Sequence, residues 1–85
     1  MIYGIYEGYI FKAPYGIEYR DLPTESVLKE YTGELLVIHE VRHGSHVYFY
    51  CRALETPLKK MYISDYNFKD YLISGELEYV EQFIF

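Results

Sequence analysis

Residues 39–43 are the only stretch of this chain that matches a catalytic motif. The run His39-Glu40-Val41-Arg42-His43 has the HExxH pattern of zinc peptidases. That chemistry needs the two histidines one helical turn apart on one zinc ion, with the glutamate as general base. The neighbouring residues favour a strand instead, because they are rich in β-branched side chains and Gly44-Ser45 is typical of a hairpin loop. In a strand, His39 and His43 would stand about 13 Å apart. A zinc-dependent hydrolase is therefore a remote alternative, and we expect no enzymatic activity.

Three other groups could do chemistry, and each has a simpler interpretation. His43 and His46 would face each other across the hairpin loop, but a metal site needs a third or fourth ligand. Cys51 falls on a face that we expect to be buried, where a thiol packs as a small hydrophobic group. Glu76 and Glu78 would lie about 7 Å apart on one strand face. Two carboxylates so placed could suggest the acid and base of a glycosidase, but the simpler interpretation is a solvated strand face. We therefore predict no catalytic residue, no metal and no cofactor.

The composition predicts a single domain over residues 1–85 with an unusually aromatic surface. The chain is 51% hydrophobic and 20% aromatic, with twelve tyrosines and five phenylalanines. A core of this size cannot bury so many rings, so several tyrosines must be partly exposed. Tyrosine is common on solvent-exposed protein surfaces, with its hydroxyl in water, and it is also enriched where proteins bind partners. A homodimer is one way to cover such a surface.

The acidic charge is concentrated in the last quarter of the chain. Residues 64–85 hold five acidic residues against one lysine, which is −4 of the total net charge of −5. Nucleic acids are polyanions, so we do not expect this segment to bind them. It should attract a protein with a basic, nucleic-acid-binding surface, where carboxylates can take the place of phosphates. The predicted partner-binding residues are Asp65, Tyr66, Asp70, Tyr71, Glu76, Glu78, Tyr79 and Glu81.

A second hypothesis is that the protein binds single-stranded RNA or DNA by stacking bases on tyrosines. The hairpin around Gly44-Ser45 would carry a ligand strip on its outward face. Against this hypothesis, the sequence shows no basic groove. The strip comprises His39, His43, His46, Tyr48, Tyr50 and Arg52.

These residues must be positioned by a small α+β fold, for which the sequence predicts the order ββ-α-ββ-(β)-α-β. The antiparallel sheet would consist of two β-hairpins and a C-terminal strand, packed with two short helices. Leu36, Ile38 and Cys51 are predicted to face inward, and Glu81 is placed on the opposite strand face from Glu78. The predicted elements are a hairpin of residues 2–12 and 17–22 around a turn at 13–16, a helix at 23–33 ended by Gly33, a hairpin of 34–43 and 46–55, a short strand or extended link at 58–63, a helix at 64–75 and a strand at 76–85.

The chain also has features typical of proteins from a reducing compartment. It has one cysteine and therefore no intrachain disulfide, the first residues do not resemble a signal peptide, and no apolar run approaches the ~18 residues of a membrane span. We therefore expect a cytoplasmic protein with no membrane partner.

In general type, the sequence resembles small accessory proteins of tailed phages. The resemblance is carried by the run Ile2-Tyr3-Gly4-Ile5-Tyr6-Glu7-Gly8-Tyr9 and by the acidic, tyrosine-containing end. It implies a protein that binds and inhibits or modulates a host factor in the host cytoplasm. It carries no individual residue role over to this chain.

Overall fold

The computed structural model describes residues 6–56 and 59–82, which form a five-stranded antiparallel sheet with one helix. This agrees with the expectation of a small antiparallel sheet combined with helix, although only one of the two predicted helices is present in the described residues. In chain order the elements are β1 (Tyr9–Tyr19), β2 (Lys29–His43), β3 (His46–Ala53), β4 (Lys60–Ser64), α1 (Asp65–Ser74) and β5 (Glu78–Gln82).

The sheet is a four-stranded meander with β5 added at the far side. The strand order is β4-β3-β2-β1-β5, so the chain passes from one outer strand to the other through α1. Beyond the end of β1, Arg20 also pairs with Tyr62 of β4, and their main-chain N–H groups and carbonyls bond reciprocally at 2.9 and 2.8 Å. The sheet is therefore curled enough for the end of β1 to reach β4.

The predicted turn at residues 13–16 is wrong, because β1 runs through it as one strand. Ala13 pairs with Gly33 and Ile17 pairs with Tyr31, so residues 14–16 lie opposite Thr32 alone. Proline cannot donate to a strand ladder and is tolerated at such bulges. Pro14 therefore marks an irregularity within one strand where the sequence suggested a hairpin.

The predicted helix at residues 23–33 is also wrong. Residues 25–28 form no regular element, and Lys29 begins β2. Tyr31 is buried in the core as part of β2, and its hydroxyl donates to the Glu34 carbonyl at 2.6 Å. Gly33 lies within the strand at φ 131°, where a Cβ would stand 2.8 Å from the Glu55 carboxylate. A helix of about two turns is marginally stable by itself. Pairing of residues 29–31 with β1 therefore outweighs the local helical pattern.

The second predicted hairpin is confirmed. His43 pairs with His46, Val41 with Tyr48 and His39 with Tyr50. Gly44 has φ 63°, while Ser45 has no positive φ, as expected for a two-residue type II′ loop with glycine first.

The predicted inward face of this hairpin is only partly correct, because β2 contains a bulge. The register shifts between Val37 and His39, which leaves Ile38 as the extra residue. Leu35 and Val37 are fully buried with Cys51, whereas Leu36 and Ile38 are only half-buried. The inward placement of Leu36 and Ile38 was therefore wrong, and that of Cys51 is confirmed.

The core lies between the sheet and α1. The helix begins after Ser64, whose hydroxyl oxygen accepts a bond from the Asn67 N–H at 3.2 Å, and ends before Gly75 at φ 83°. Phe68 is its buried residue, with ring centroids 4.9 Å from Phe49 and 5.1 Å from Phe11. These features confirm the second predicted helix. Within the described residues, no helix has the length and apolar character needed to cross a membrane.

Candidate functional site

The link between α1 and β5 fixes the start of the acidic strand. Leu77 is buried, and its N–H donates to the carbonyl of Tyr71 at 3.0 Å. The Ser74 hydroxyl donates to the Glu76 carboxylate at 2.9 Å. Glu76 is thus held beside the helix end, and β5 begins directly after the buried Leu77.

A bulge in β5 brings two glutamates to one face. The register with β1 shifts by one residue at Val80, because Tyr79 and Glu81 lie opposite consecutive residues of β1. Since alternate residues of β1 share a face, Glu78 and Glu81 share the face that points away from the core. The prediction that Glu81 lies on the opposite face from Glu78 is therefore wrong, because a bulge shifts the alternation. The Cα partners are Glu78 with Lys12, Tyr79 with Phe11, and Glu81 with Ile10.

The other face of β5 carries an aromatic ring at the margin of the core. Tyr79 has its ring centroid 5.4 Å from that of Tyr9 and 6.1 Å from that of Phe11. It remains 57% exposed. The strand therefore presents carboxylates on one side and a half-covered aromatic ring on the other.

The outer side of β5 is open among the described residues. β5 pairs with β1 on its inner side and is the last strand of the sheet. All five of its residues are exposed. An unpaired strand edge of this kind offers main-chain N–H and carbonyl groups to another extended chain.

The predicted partner-binding residues on α1 have mixed roles. Tyr66 and Asp70 are exposed, and Asp65 lies in the first turn, where its charge suits the helix dipole. Tyr71 is structural, because its hydroxyl accepts a bond from the Glu18 N–H at 3.2 Å and burial raises the pKa of Tyr71. The helix packs on β3 and β4. Of the other predicted residues, Glu76 lies beside the helix end, whereas Glu78, Tyr79 and Glu81 lie on β5, the outer strand at the other edge of the sheet.

A row of rings crosses the outward face of the other half of the sheet. His39, Tyr50 and Tyr62 are cross-strand partners on β2, β3 and β4. Centroid distances are 5.3 Å for His39 to Tyr50 and 5.3 Å for Tyr50 to Tyr62, and the second pair is stacked. We call these three residues the aromatic row.

Basic residues flank the aromatic row. The Arg52 guanidinium donates to the Tyr50 hydroxyl at 3.1 Å, and Lys60 is the cross-strand partner of Arg52. Arg20 pairs with Tyr62 and donates from Nε to the Glu25 carbonyl at 2.8 Å. The sequence hypothesis therefore placed three members of this face correctly, namely His39, Tyr50 and Arg52.

The remaining members of the predicted strip do not extend the row. Tyr48 is buried at 9% exposure, and His43 and His46 are exposed at the hairpin loop. The sequence analysis missed Tyr62, although the buried Met61 and Ile63 alternate with it and would have indicated its outward direction. No local signal pointed to Arg20, because its position depends on the curl of the sheet.

The structure does not bring the catalytic motif into a catalytic geometry. Residues 39–43 lie in β2, so His39 and His43 lack the helical spacing that a zinc peptidase needs. Cys51 is fully buried, and burial raises the pKa of its thiol. Among the described residues, no group of three or more His, Cys, Asp or Glu side chains could hold a metal ion.

Comparisons with protein-family models, with curated proteins and with solved structures give no match for this chain.

Proposed function

We propose that this protein is a small non-enzymatic interaction module that binds a partner protein with a basic surface. The observation that carries the proposal is the geometry of β5. Every residue of this outer strand is exposed, and the bulge at Val80 sets Glu78 and Glu81 on one face. Acidic side chains arranged in this way attract basic surfaces and repel nucleic acid.

The consequence for the partner follows from the charge of its surface. A basic surface that binds RNA or DNA would be occupied by the carboxylates of Glu76, Glu78 and Glu81 in place of phosphates. Binding would then inhibit or modulate the partner. This role is the one implied by the resemblance to phage accessory proteins, and it would be exercised in the host cytoplasm.

The experiment is affinity capture from a lysate of the native host with three forms of the protein, followed by quantitative mass spectrometry. Glu78→Lys with Glu81→Lys reverses the acidic face of β5. Glu30→Lys with Glu40→Lys makes the same charge change at exposed positions of β2. We expect a basic partner to be captured by the wild type and by the β2 variant, and to be lost with the β5 variant. Equal capture by all three forms would contradict the proposal.

Single-stranded nucleic-acid binding is a second candidate, favoured by the aromatic row and its flanking cations. Tyrosine rings beside Arg52, Lys60 and Arg20 combine a stacking surface with positive charge, as single-strand binding requires. The test is fluorescence anisotropy of a labelled single-stranded RNA at low salt, with Tyr50→Ala and Tyr62→Ala as variants. This candidate predicts saturable binding that weakens about tenfold or more in each variant. Absence of binding by the wild type would eliminate it.

A further inference from the structure

We propose that β5 binds its partner by accepting an extended segment as a sixth strand of the sheet, and that this segment alternates basic and apolar residues. The inference rests on the proposed function, in that it takes β5 as the contact. It goes further by naming the form and the side-chain pattern of the bound segment.

The main chain of the sheet limits strand addition to one side. At β4, the N–H and carbonyl of Tyr62 are already bonded to Arg20, so an incoming strand would have to displace that bridge. At β5, the outer side has no partner among the described residues. An added strand would lie about 4.8 Å from β5 and take its affinity from main-chain hydrogen bonds.

The outward face sets the requirement for basic residues. Glu34, Lys12 and Glu78 are successive cross-strand partners on β2, β1 and β5. Their charges therefore alternate across the three strands. A lysine or arginine on the added strand beside Glu78 would continue this alternation, and opposite charges on neighbouring strands stabilise their pairing. Glu81 offers a second carboxylate on the same face.

The core-facing side sets the requirement for apolar residues. Tyr79 already covers the margin of the core through Tyr9 and Phe11 but leaves more than half of its own surface exposed. Because successive strand residues point to opposite faces, the residues between the basic ones would lie beside Tyr79. An apolar side chain there would cover the exposed ring.

A second copy of this chain fits the same edge poorly. Antiparallel pairing of two β5 strands with their outward faces on the same side would place Glu78 of each copy opposite Glu81 of the other. Two glutamates from each copy would then lie in one short ladder, and like charges on neighbouring strands destabilise it. The charge of β5 therefore selects a basic segment of another protein over a homodimer through this edge.

The test uses a synthetic peptide of alternating lysine and valine and measures its affinity for the whole chain by fluorescence anisotropy. Two further peptides carry N-methyl groups on alternate amides, one on the lysines and one on the valines. Only one of these sets can face β5 in a given pairing, because the amides of a strand point alternately to its two sides. We expect one methylated peptide to lose at least about tenfold in affinity and the other to bind nearly as the parent does.

The protein variants separate this inference from the proposed function. Tyr79→Ala should weaken the parent peptide several-fold, and Glu78→Lys with Glu81→Lys should weaken it at least tenfold, while Glu30→Lys with Glu40→Lys leaves it within twofold. Equal binding of the two methylated peptides, or no binding of the parent peptide to the wild type, would overturn strand addition. The proposed function would still be decided independently by the lysate capture, which does not depend on how the partner's backbone is arranged.

Discussion

The outer strands β4 and β5 are each five residues long, but their environments differ. β4 buries Met61 and Ile63 in the core, and its outer side is bridged by Arg20. β5 buries none of its residues, and its outer side is open in the described structure. Among the described residues, the sheet thus has one edge that a main-chain bridge closes and one edge that is exposed.

The carboxylates of β5 can serve two roles at this exposed edge. Charged side chains on an outer strand prevent uncontrolled pairing with other chains, which is a purely protective role. The same carboxylates can select a basic strand and reject acidic or apolar ones. The protective role requires only that charge be present, whereas the binding role requires it on a particular face. The bulge that aligns Glu78 with Glu81 is the feature that favours binding.

The largest expected effect comes from removing the Phe68 ring, which packs α1, the helix that connects β4 to β5, against the sheet. Phe68→Ala would leave a cavity among Phe11 and Phe49, so we expect a loss of about 3–5 kcal/mol in the free energy of unfolding. Urea denaturation followed by circular dichroism measures it. Tyr66→Ala, at an exposed position of the same helix, is the control and should change stability by less than about 0.5 kcal/mol. Similar losses in both variants would contradict this packing.

Opening the closed edge should have the next largest effect. Arg20→Pro removes the N–H that donates to the Tyr62 carbonyl, and we expect a loss of about 1–3 kcal/mol with increased self-association. Denaturation and analytical ultracentrifugation measure the two results. Arg20→Ala retains the N–H and should lose less and stay dispersed. If the alanine variant matched the proline variant, the main-chain bridge would not be what closes β4.

Removing the charges from the open edge should alter association more than stability. Glu78→Val with Glu81→Val leaves a β-prone outer strand without acidic side chains, and we expect concentration-dependent oligomers in sedimentation experiments. Glu30→Val with Glu40→Val is the matched control on β2. If the control variant associated equally, general loss of charge would explain the result, and the edge position of β5 would be irrelevant.

The smallest expected effect concerns the hydroxyl that ties α1 to β1. Tyr71→Phe removes the acceptor for the Glu18 N–H, and we expect a loss of about 1 kcal/mol or less. Burial raises the pKa of Tyr71 and of Tyr31. The unfolded chain therefore releases these protons first, so stability should fall as the pH rises through about 10. Denaturation between pH 8 and 11 should show a shallower fall in the Tyr71→Phe variant, and an unchanged slope would contradict the assignment.

The accurate sequence predictions rest on local signals. Gly44-Ser45 identified the hairpin loop, while Ser64 and Gly75 marked the two ends of α1. The errors arise where pairing between distant residues overrides a local pattern. The strand at Lys29 depends on β1, and the bulges at Ile38 and Val80 are visible only in the register of neighbouring strands.

In the candidate sites too, local features were predicted correctly and features set by pairing between distant residues were missed. The acidic composition of the last quarter was evident from the sequence, but the face shared by Glu78 and Glu81 depends on a bulge. His39 and Tyr50 were assigned to one face because a hairpin pairs them locally. Tyr62 and Arg20 joined that face only through the curl of the whole sheet, which short-range patterns do not encode.

The most direct test of the account is amide hydrogen exchange of the wild type, alone and with the alternating lysine–valine peptide. In the free protein, the amide of Tyr62 should be protected by its bond to Arg20, while the β5 amides that do not face β1 should exchange rapidly. Addition of the peptide should protect those β5 amides and leave Tyr62 unchanged. Protection of every β5 amide in the free protein, or rapid exchange in β5 with the peptide bound, would contradict an open edge that accepts a basic strand.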